Sequence, residues 1–535
     1  MRFMKWPFIG LGAVISVAVG VAVFYPRTDA ATIKNVIFVI GDGMGFQQVG
    51  LLNSYAKYAP NSIYKDKDGK TAIEEAIAEG TIGIAYHEAA NVLVTDSAAS
   101  ATQFATGKSA GSEMIGCDQF GDSVGTILEI AKKKGKSTGL VSDTRITHAT
   151  PAAFAAHQTH RGKENAIAVD LLNNEVDVML SGGLRYFIPK AASDKNSAIH
   201  QQLKTRTGGS LEIKSKRKDN RNLLDEAEQK HYALAFTKAQ LEPAKGPKIL
   251  GLFSYSGMPN GIQETLTKND PKRTVPTLRE MTIKALDVLS KNDQGFFLLV
   301  EAGQIDWAGH DNDVGTLLHE MLRFDDTLEA VSEWVKDRND TLLIISADHE
   351  TGGFGFSYSR RELPKPTDLP GQLFKDEKFK PNFNFGGYDI LDKLYQQQLS
   401  YPDIMSEFDG LSQKTPEKLA ELVNKYTVFP ITTTEAAAIL EEEENEYRVP
   451  GHSYLGTEMF PKVHDFKEFY VYGSEVHRDL LGRAVGKYQN VVWATGTHTS
   501  TPVPLIVLGP KNVTAQFGRL LHTTEWGKYA IEALQ

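Results

Sequence analysis

Residues 36–40, 296–300 and 342–346 are apolar runs that each give way at once to acidic and histidine residues. The first leads into Gly41-Asp42-Gly43-Met44-Gly45, the second into Glu301-Ala302-Gly303-Gln304-Ile305-Asp306-Trp307-Ala308-Gly309-His310, and the third into Ala347-Asp348-His349-Glu350. Strands without polar alternation must be covered on both faces, the condition of a parallel sheet held between two layers of helices. Further β-rich runs at 138–142, 176–180, 249–253, 491–494 and 505–508 alternate with helix-period stretches. The expected class is therefore α/β: a three-layer, doubly wound, mostly parallel sheet with helices on both faces. The helix at 126–134 ends in three lysines and Gly135, that at 277–290 puts Leu278, Met281, Ala285 and Leu289 on one face, and that at 314–338 does so with Leu317, Met321, Leu328, Val331 and Val335.

Two stretches break this rhythm. Residues 190–230, rich in Lys, Asn, Gln and Asp, read as a solvated excursion rather than a phosphate channel. Residues 358–489 read as a large insertion between two sheet strands, with Pro-rich loops and a helix starting at Thr415-Pro416. The acidic run Glu441-Glu442-Glu443-Glu444 within it is expected on the wet side of a helix.

Composition narrows the chemistry. Cys117 is the single cysteine, which excludes an internal disulfide framework and a zinc site built from several thiolates, so any metal is held through His and carboxylate. The net charge of −9, from 58 basic and 67 acidic residues, leaves no diffuse basic field for nucleic acid, and no specific nucleic-acid binding is expected. At the N-terminus, Arg2 and Lys5 precede an uncharged run at 8–24, then Pro26 and the small residues Ala30 and Ala31. Residues 1–31 read as a secretory signal peptide, the alternative being an uncleaved membrane anchor. The expected protein is exported, periplasmic or secreted, without stable membrane association once the leader is removed, with residues 32–535 as its catalytic domain.

In an open parallel sheet the C-terminal strand ends share one edge, where ligands bind. Asp42, Glu301, Asp306, His310, Asp348 and His349 would meet there, joined by His498 from Thr495-Gly496-Thr497-His498 after the run at 491–494. Singly each has a plain structural explanation: a turn residue for Asp42, a helix-face pair for Asp306 and His310, a cap for Asp348-His349, a satisfied buried histidine for His498. Together, so many carboxylates repel unless a cation lies among them. Imidazole with carboxylate suits Zn²⁺, and an oxygen-rich subset suits Mg²⁺. Adjacent Asp348 and His349 can serve one ion, and Asp306 with His310 can chelate another, so more than one metal is expected. A small-residue helix is expected from about Ser97 to Thr106, with Asp96 or Thr95 as N-cap, which places the Ser97 hydroxyl at the positive helix end. No Gly-x-Ser-x-Gly elbow surrounds Ser97. After the strand at 138–142 come His148-Ala149-Thr150-Pro151 and then Arg161, whose planar fork suits two phosphoryl oxygens and which read alone is a surface arginine.

These segments, with Thr95-Asp96-Ser97-Ala98-Ala99-Ser100-Ala101-Thr102 and Thr497-His498-Thr499, resemble the alkaline phosphatase family, in family order from residue 41 to 499. The long insertion and local wording look most like its marine-bacterial, Vibrio-type branch. The resemblance implies Ser97 as nucleophile forming a phosphoserine, with Asp42, Asp348 and His349 on the zinc that activates it. It implies Asp306, His310 and His498 on a second zinc, Asp42, Thr150 and Glu301 on one magnesium, Arg161 as phosphate clamp and Asp96 as its orienter. It implies a broad-specificity phosphomonoesterase acting at alkaline pH. It also implies a homodimer, against which a stable 59.0 kDa monomer in light scattering would count. Where the enterobacterial branch has Asp and Lys near the metals, this chain has His148 and Trp307. His148 puts strict magnesium selectivity at the third site in question, and loss of the lysine charge is expected to weaken product-phosphate binding. A sulfatase would need a Cys-x-Pro-x-Arg-like context, whereas Ser97 is followed by Ala98-Ala99-Ser100. The remaining alternatives are a phosphodiesterase on the same fold and a non-catalytic exported protein that binds phosphate or metal.

Overall fold

The computed structural model describes residues 32–534, so the leader read at 1–31 lies outside the described residues. Among the described residues no helix is long and apolar enough to cross a membrane. Eight strands of the central sheet come before the long insertion: β1 (Asn35–Gly41), β2 (Thr81–Tyr86), β3 (Ser137–Arg145), β4 (Val178–Gly182), β5 (Ala233–Ala235), β6 (Ile249–Leu252), β7 (Phe296–Ala302) and β8 (Thr341–Ser346). With Val503–Leu508 and Leu520–His522 they form one ten-stranded sheet. From edge to edge the order is Leu520–His522, β2, Val503–Leu508, β8, β1, β7, β3, β4, β6, β5. Every pairing is parallel except those of Val503–Leu508, which runs against both neighbours. Helices cover both sides.

The central strands β1, β7 and β8 are buried along their whole length, which is why their sequences carry no alternation. The three strands without a clear sequence signal, β2, β5 and Leu520–His522, are short or half-exposed and lie toward the sheet margins. On one side Phe38 of β1 meets Phe104, Phe154, Phe297 and Trp526 edge-on, with centroids 5.3–6.2 Å apart. There the helices Ser97–Thr106 and Thr523–Leu534 approach so closely that a Cβ on Gly527 would lie 2.6 Å from the Phe104 carbonyl oxygen. Register aligns Glu301 with Ile40 and with Ser142, so the polar residues following β1, β3 and β7 emerge at one edge.

Three expectations are corrected. The run at 491–494 does not join the central sheet: Val491–Val492 pairs antiparallel with Gly355–Phe356, because the chain turns there to seat Trp493 on Gly352 and Phe354. The acidic run is not on a helix, since the helix Thr433–Ile439 ends before it. Instead Glu442–Glu444 pairs antiparallel with Met459–Pro461, and ion pairs of Lys462 with Glu441 and Lys467 with Glu446 flank the strand. Residues 190–230 are not merely a solvated excursion: they hold the helices Ala198–Arg206 and Leu223–Gln229, docked through buried Leu203, Leu223 and Leu224.

The helix Leu278–Leu289 opens with a capping box between Thr277 and Glu280. Burial raises the Glu280 carboxyl, but Arg273 and Lys238 outweigh it and hold the group down at about 2. An unfolded glutamate titrates near 4.5, so this depressed value adds stability above that pH, and the gain is lost as pH falls from about 4.5 toward 2. Glu280→Gln keeps the cap and removes the charge. It is expected to lower Tm by about 1–2 °C at pH 7 and by a shrinking margin toward pH 3, which differential scanning calorimetry checks.

Candidate active site

The candidate side chains sit at or near the ends of the elements that carry them. Asp42 follows β1, and Gly43 behind it has φ +74, where a Cβ would fall 2.7 Å from the Asp306 Cα. Glu301 lies within β7, and the following helix Gln304–His310 presents Asp306 and His310 one turn apart. Asp348 and His349 follow β8, and His498 arrives on the two-residue strand His498–Thr499, paired antiparallel with Glu350–Thr351. Ser97 opens the helix Ser97–Thr106, capped by Asp96, which accepts from the backbone N–H groups of Ala98 and Ala99 at 3.1 and 3.3 Å.

These residues gather into three adjoining groups whose donor atoms lie within 4.8 Å of one another: Asp306, His310 and His498; Asp42, Asp348 and His349; and Asp42, His148 and Glu301. In the first, His310 Nε2 and His498 Nε2 face each other at 3.1 Å and stand 3.4 and 3.5 Å from Asp306 Oδ1. Their Nδ1 atoms face the Gly496 and Thr95 carbonyls at 2.8 and 2.9 Å, which places the N–H there and turns two lone pairs toward one point. In the second, His349 Nε2 lies 3.5 Å from Asp42 Oδ1 and 3.2 Å from Asp348 Oδ2. All these separations approximate the ~3.3 Å edge of a tetrahedron with ~2 Å metal–ligand bonds.

The polar atoms left over fit the same reading. Both oxygens of Asp42, Asp348 Oδ2, Glu301 Oε1, the Thr150 hydroxyl and His148 Nδ1 are buried and without hydrogen-bond partners among the described residues. Burial first, then neighbouring carboxylates, push Asp42 well above the usual range, Asp348 to about 7 and Glu301 to about 8. Buried acids crowded this closely are relieved by a divalent cation, so the donor set fits metal. Burial and nearby positive charge hold His148 and His349 well below their ordinary value, hence neutral and able to ligate.

Ser97 is buried, its Oγ 3.2 Å from His349 Nε2. This is not a Ser-His-Asp triad, in which the acid holds the other imidazole nitrogen: His349 Nδ1 faces the Thr351 hydroxyl at 3.2 Å, and both carboxylates lie on the Nε2 side. Arg161 donates to Asp96 at 3.0 Å, and its other terminal nitrogen lies 3.2 Å from His148 Nε2. Burial opposes the charge on Asp96, but Arg161 and backbone N–H groups keep its carboxyl below the usual range. Trp307 meets His148 edge-on, with centroids 5.9 Å apart. All thirteen residues singled out in the sequence therefore lie in or around one crevice.

Others were missed. The Thr351 hydroxyl donates to Asp306 at 2.5 Å while facing His349, so it links the first two groups. Glu113, at φ +64, donates its backbone N–H to Asp96 at 2.8 Å and accepts from the Arg161 N–H at 2.8 Å. Tyr472, from the insertion, packs edge-on to His310 at 5.3 Å. Only Thr351 carried a signal, as the hydroxyl two residues after His349; the other two act through backbone or shape.

A family model described as alkaline phosphatase matches residues 33–438. Alkaline phosphatase 4 of Bacillus subtilis is 35% identical over 334 residues, 61% of this chain but just under two thirds (64%) of that protein. Alkaline phosphatase 3 of the same organism is 29% identical over 511 residues, 94% of this chain and 89% of that protein. The solved structure of a cold-active alkaline phosphatase from the psychrophile Shewanella sp. superposes with a TM-score of 0.65 at 25% identity, over 94% of this chain and 100% of that one.

Proposed function

Because the chain belongs to the alkaline phosphatase family, we propose that it hydrolyses phosphate monoesters with broad specificity at alkaline pH through a phosphoserine on Ser97. The observation that carries this is the Ser97 hydroxyl 3.2 Å from His349, at the head of a buried helix and beside two groups of metal-ligating side chains. Asp42, Asp348 and His349 would hold one zinc, Asp306, His310 and His498 a second, and Asp42, Glu301 and Thr150 a magnesium. His148 stands within ligand range of this third group. When bound, these ions supply the Lewis acidity that makes a hydroxyl or water nucleophilic and neutralises charge on the leaving oxygen.

The residues do the rest. Arg161, held by Asp96, grips two phosphoryl oxygens and sets phosphorus in line with Ser97. Ser97 Oγ forms a bond to phosphorus as the ester oxygen departs; water then attacks the phosphoserine from the vacated side and releases inorganic phosphate. The positive end of the helix Ser97–Thr106 favours both the alkoxide and the phosphoryl charge. Since these contacts recognise the phosphoryl group alone, the leaving alcohol is free to vary. The same reading keeps the Vibrio-type branch, export after loss of the leader, and the homodimer.

Hydrolysis of p-nitrophenyl phosphate and bis-p-nitrophenyl phosphate by the zinc- and magnesium-loaded protein tests the reading. The monoester is expected to react faster by at least ~10³ in kcat/KM; a diester preference would transfer the site to phosphodiester chemistry. Trp307 stands where a cation would help retain departing phosphate. Trp307→Lys is therefore expected to lower the phosphate inhibition constant by about tenfold and to slow turnover, because release can limit kcat. An unchanged inhibition constant would show that this position does not govern release.

A further inference from the structure

One guanidinium on the crevice rim has no part in that reaction. Arg185 follows Gly183, which packs on Arg145: a Cβ on Gly183 would lie 2.9 Å from the Arg145 Cβ. The Arg145 carbonyl in turn accepts the His148 N–H at 2.7 Å. On its other side Arg185 donates its backbone N–H to the Tyr255 carbonyl, and its guanidinium lies over the rings of Tyr186 and Tyr255, 5.1 and 5.5 Å from their centroids. Two residues beyond Tyr255, Gly257 abuts the Trp307 ring. Arg185 thus shares a rim with His148 and Trp307, and its charge is felt at His148.

The arginines here differ in their partners. Arg145 is neutralised by Glu164, with contacts of 2.6 and 3.0 Å, and Arg161 by Asp96. Arg185 forms no ion pair among the described residues, and its buried Nε has no hydrogen-bond partner. The tyrosine faces hold the cation without neutralising it. The Arg185 carbonyl accepts the backbone N–H of Lys216 at 2.8 Å, in an irregular stretch where Lys214, Lys216 and Lys218 are exposed and, among the described residues, without ion pairs. Arg217 between them is buried and clamped to Asp219, which leaves exposed Glu212 as the unengaged acid of this stretch. In a chain of net charge −9, the Arg185 guanidinium is thus a cation without an ion pair among the described residues on the rim shared with His148 and Trp307.

We propose that Arg185, seconded by Lys216, binds a second phosphate or carboxylate on the leaving-group side of the substrate, so that phosphomonoesters bearing two anionic groups are preferred. This rests on the phosphomonoesterase reading above and narrows it.

The test compares 1,6-hexanediol bisphosphate with 1-hexyl phosphate in the metal-loaded protein, with p-nitrophenyl phosphate as the check on the underlying reading. At low ionic strength the ratio of kcat/KM values is expected to exceed the statistical factor of two by about fivefold or more, and to fall toward two in 0.5 M NaCl. Arg185→Gln is expected to cut the ratio by about fivefold, Lys216→Gln by about twofold, and Arg185→Lys to retain part of it. Thermal melts establish that the variants fold. A ratio near two in the unaltered protein, or one unmoved by Arg185→Gln, overturns the proposal while p-nitrophenyl phosphate is still hydrolysed. Failure to hydrolyse p-nitrophenyl phosphate overturns the phosphomonoesterase reading itself.

Discussion

Ser97→Ala is expected to lower kcat on p-nitrophenyl phosphate by at least ~10³-fold while shifting Tm by no more than about 2 °C. The side chain is buried but small, and the variant loses one hydroxyl without opening a cavity large enough to disturb the helix Ser97–Thr106, whose cap is Asp96. What disappears is the atom proposed to bond to phosphorus. Residual hydrolysis would come from water attacking a substrate still held by Arg161 and the metal-ligating groups. Steady-state kinetics with acid-quench labelling by radioactive phosphate checks both parts: the unaltered protein should trap label on Ser97, and the variant none. Rates within tenfold of the unaltered protein, on a folded variant, would remove Ser97 from the chemistry.

The second large effect concerns Asp42, which two of the three groups share. Chelation is expected to abolish activity and to lower Tm by about 5–10 °C, since ions bound to the folded state alone stabilise it by mass action. Asp42→Asn should also abolish activity, and its effect on stability should change sign with metal. In the loaded protein the variant loses a charged ligand and melts lower. In the chelated protein it melts higher, because Asp42 is then a fully buried carboxyl facing Asp348, Asp306 and Glu301 with no hydrogen-bond partner among the described residues. Differential scanning fluorimetry with and without chelator, followed by return of zinc and magnesium, reads both signs. A variant less stable in both conditions would mean that Asp42 serves packing rather than cation binding.

Much of this candidate centre is legible in the sequence. Strands β1, β7 and β8 are buried on both faces and therefore appear in the sequence as apolar blocks, so the first polar residues after them, Asp42, Asp348 and His349, stand out, as does Glu301 near the end of β7. Ser97 was legible because an acidic cap followed by a run of small residues marks a helix start that packs tightly. Less legible were elements whose pairing depends on distant partners. The short run at 491–494 has the composition of a sheet strand, yet packing of Trp493 on Gly352 and Phe354 sends it to a two-stranded ribbon. Glu442–Glu444 has the composition of a helix face, yet it pairs antiparallel with Met459–Pro461, where Lys462 reaches Glu441 and Lys467 reaches Glu443.

The sequence by itself determined the class of fold, the sheet edge at which chemistry collects and the residue types gathered there, because these follow from local hydrophobic runs and what interrupts them. Only the tertiary structure decided how those residues are held. His498 reaches Asp306 through an antiparallel pairing with Glu350–Thr351, Thr351 ties Asp306 to His349, and the Glu113 backbone joins Asp96 to Arg161. Arg185 stands on the rim without an ion pair among the described residues, held over the Tyr186 and Tyr255 rings, while neighbouring Arg145 is paired with Glu164. Contacts between segments hundreds of residues apart, or made through backbone groups common to every residue, leave no periodicity in the chain; they exist only once the sheet has brought its strand ends to one edge.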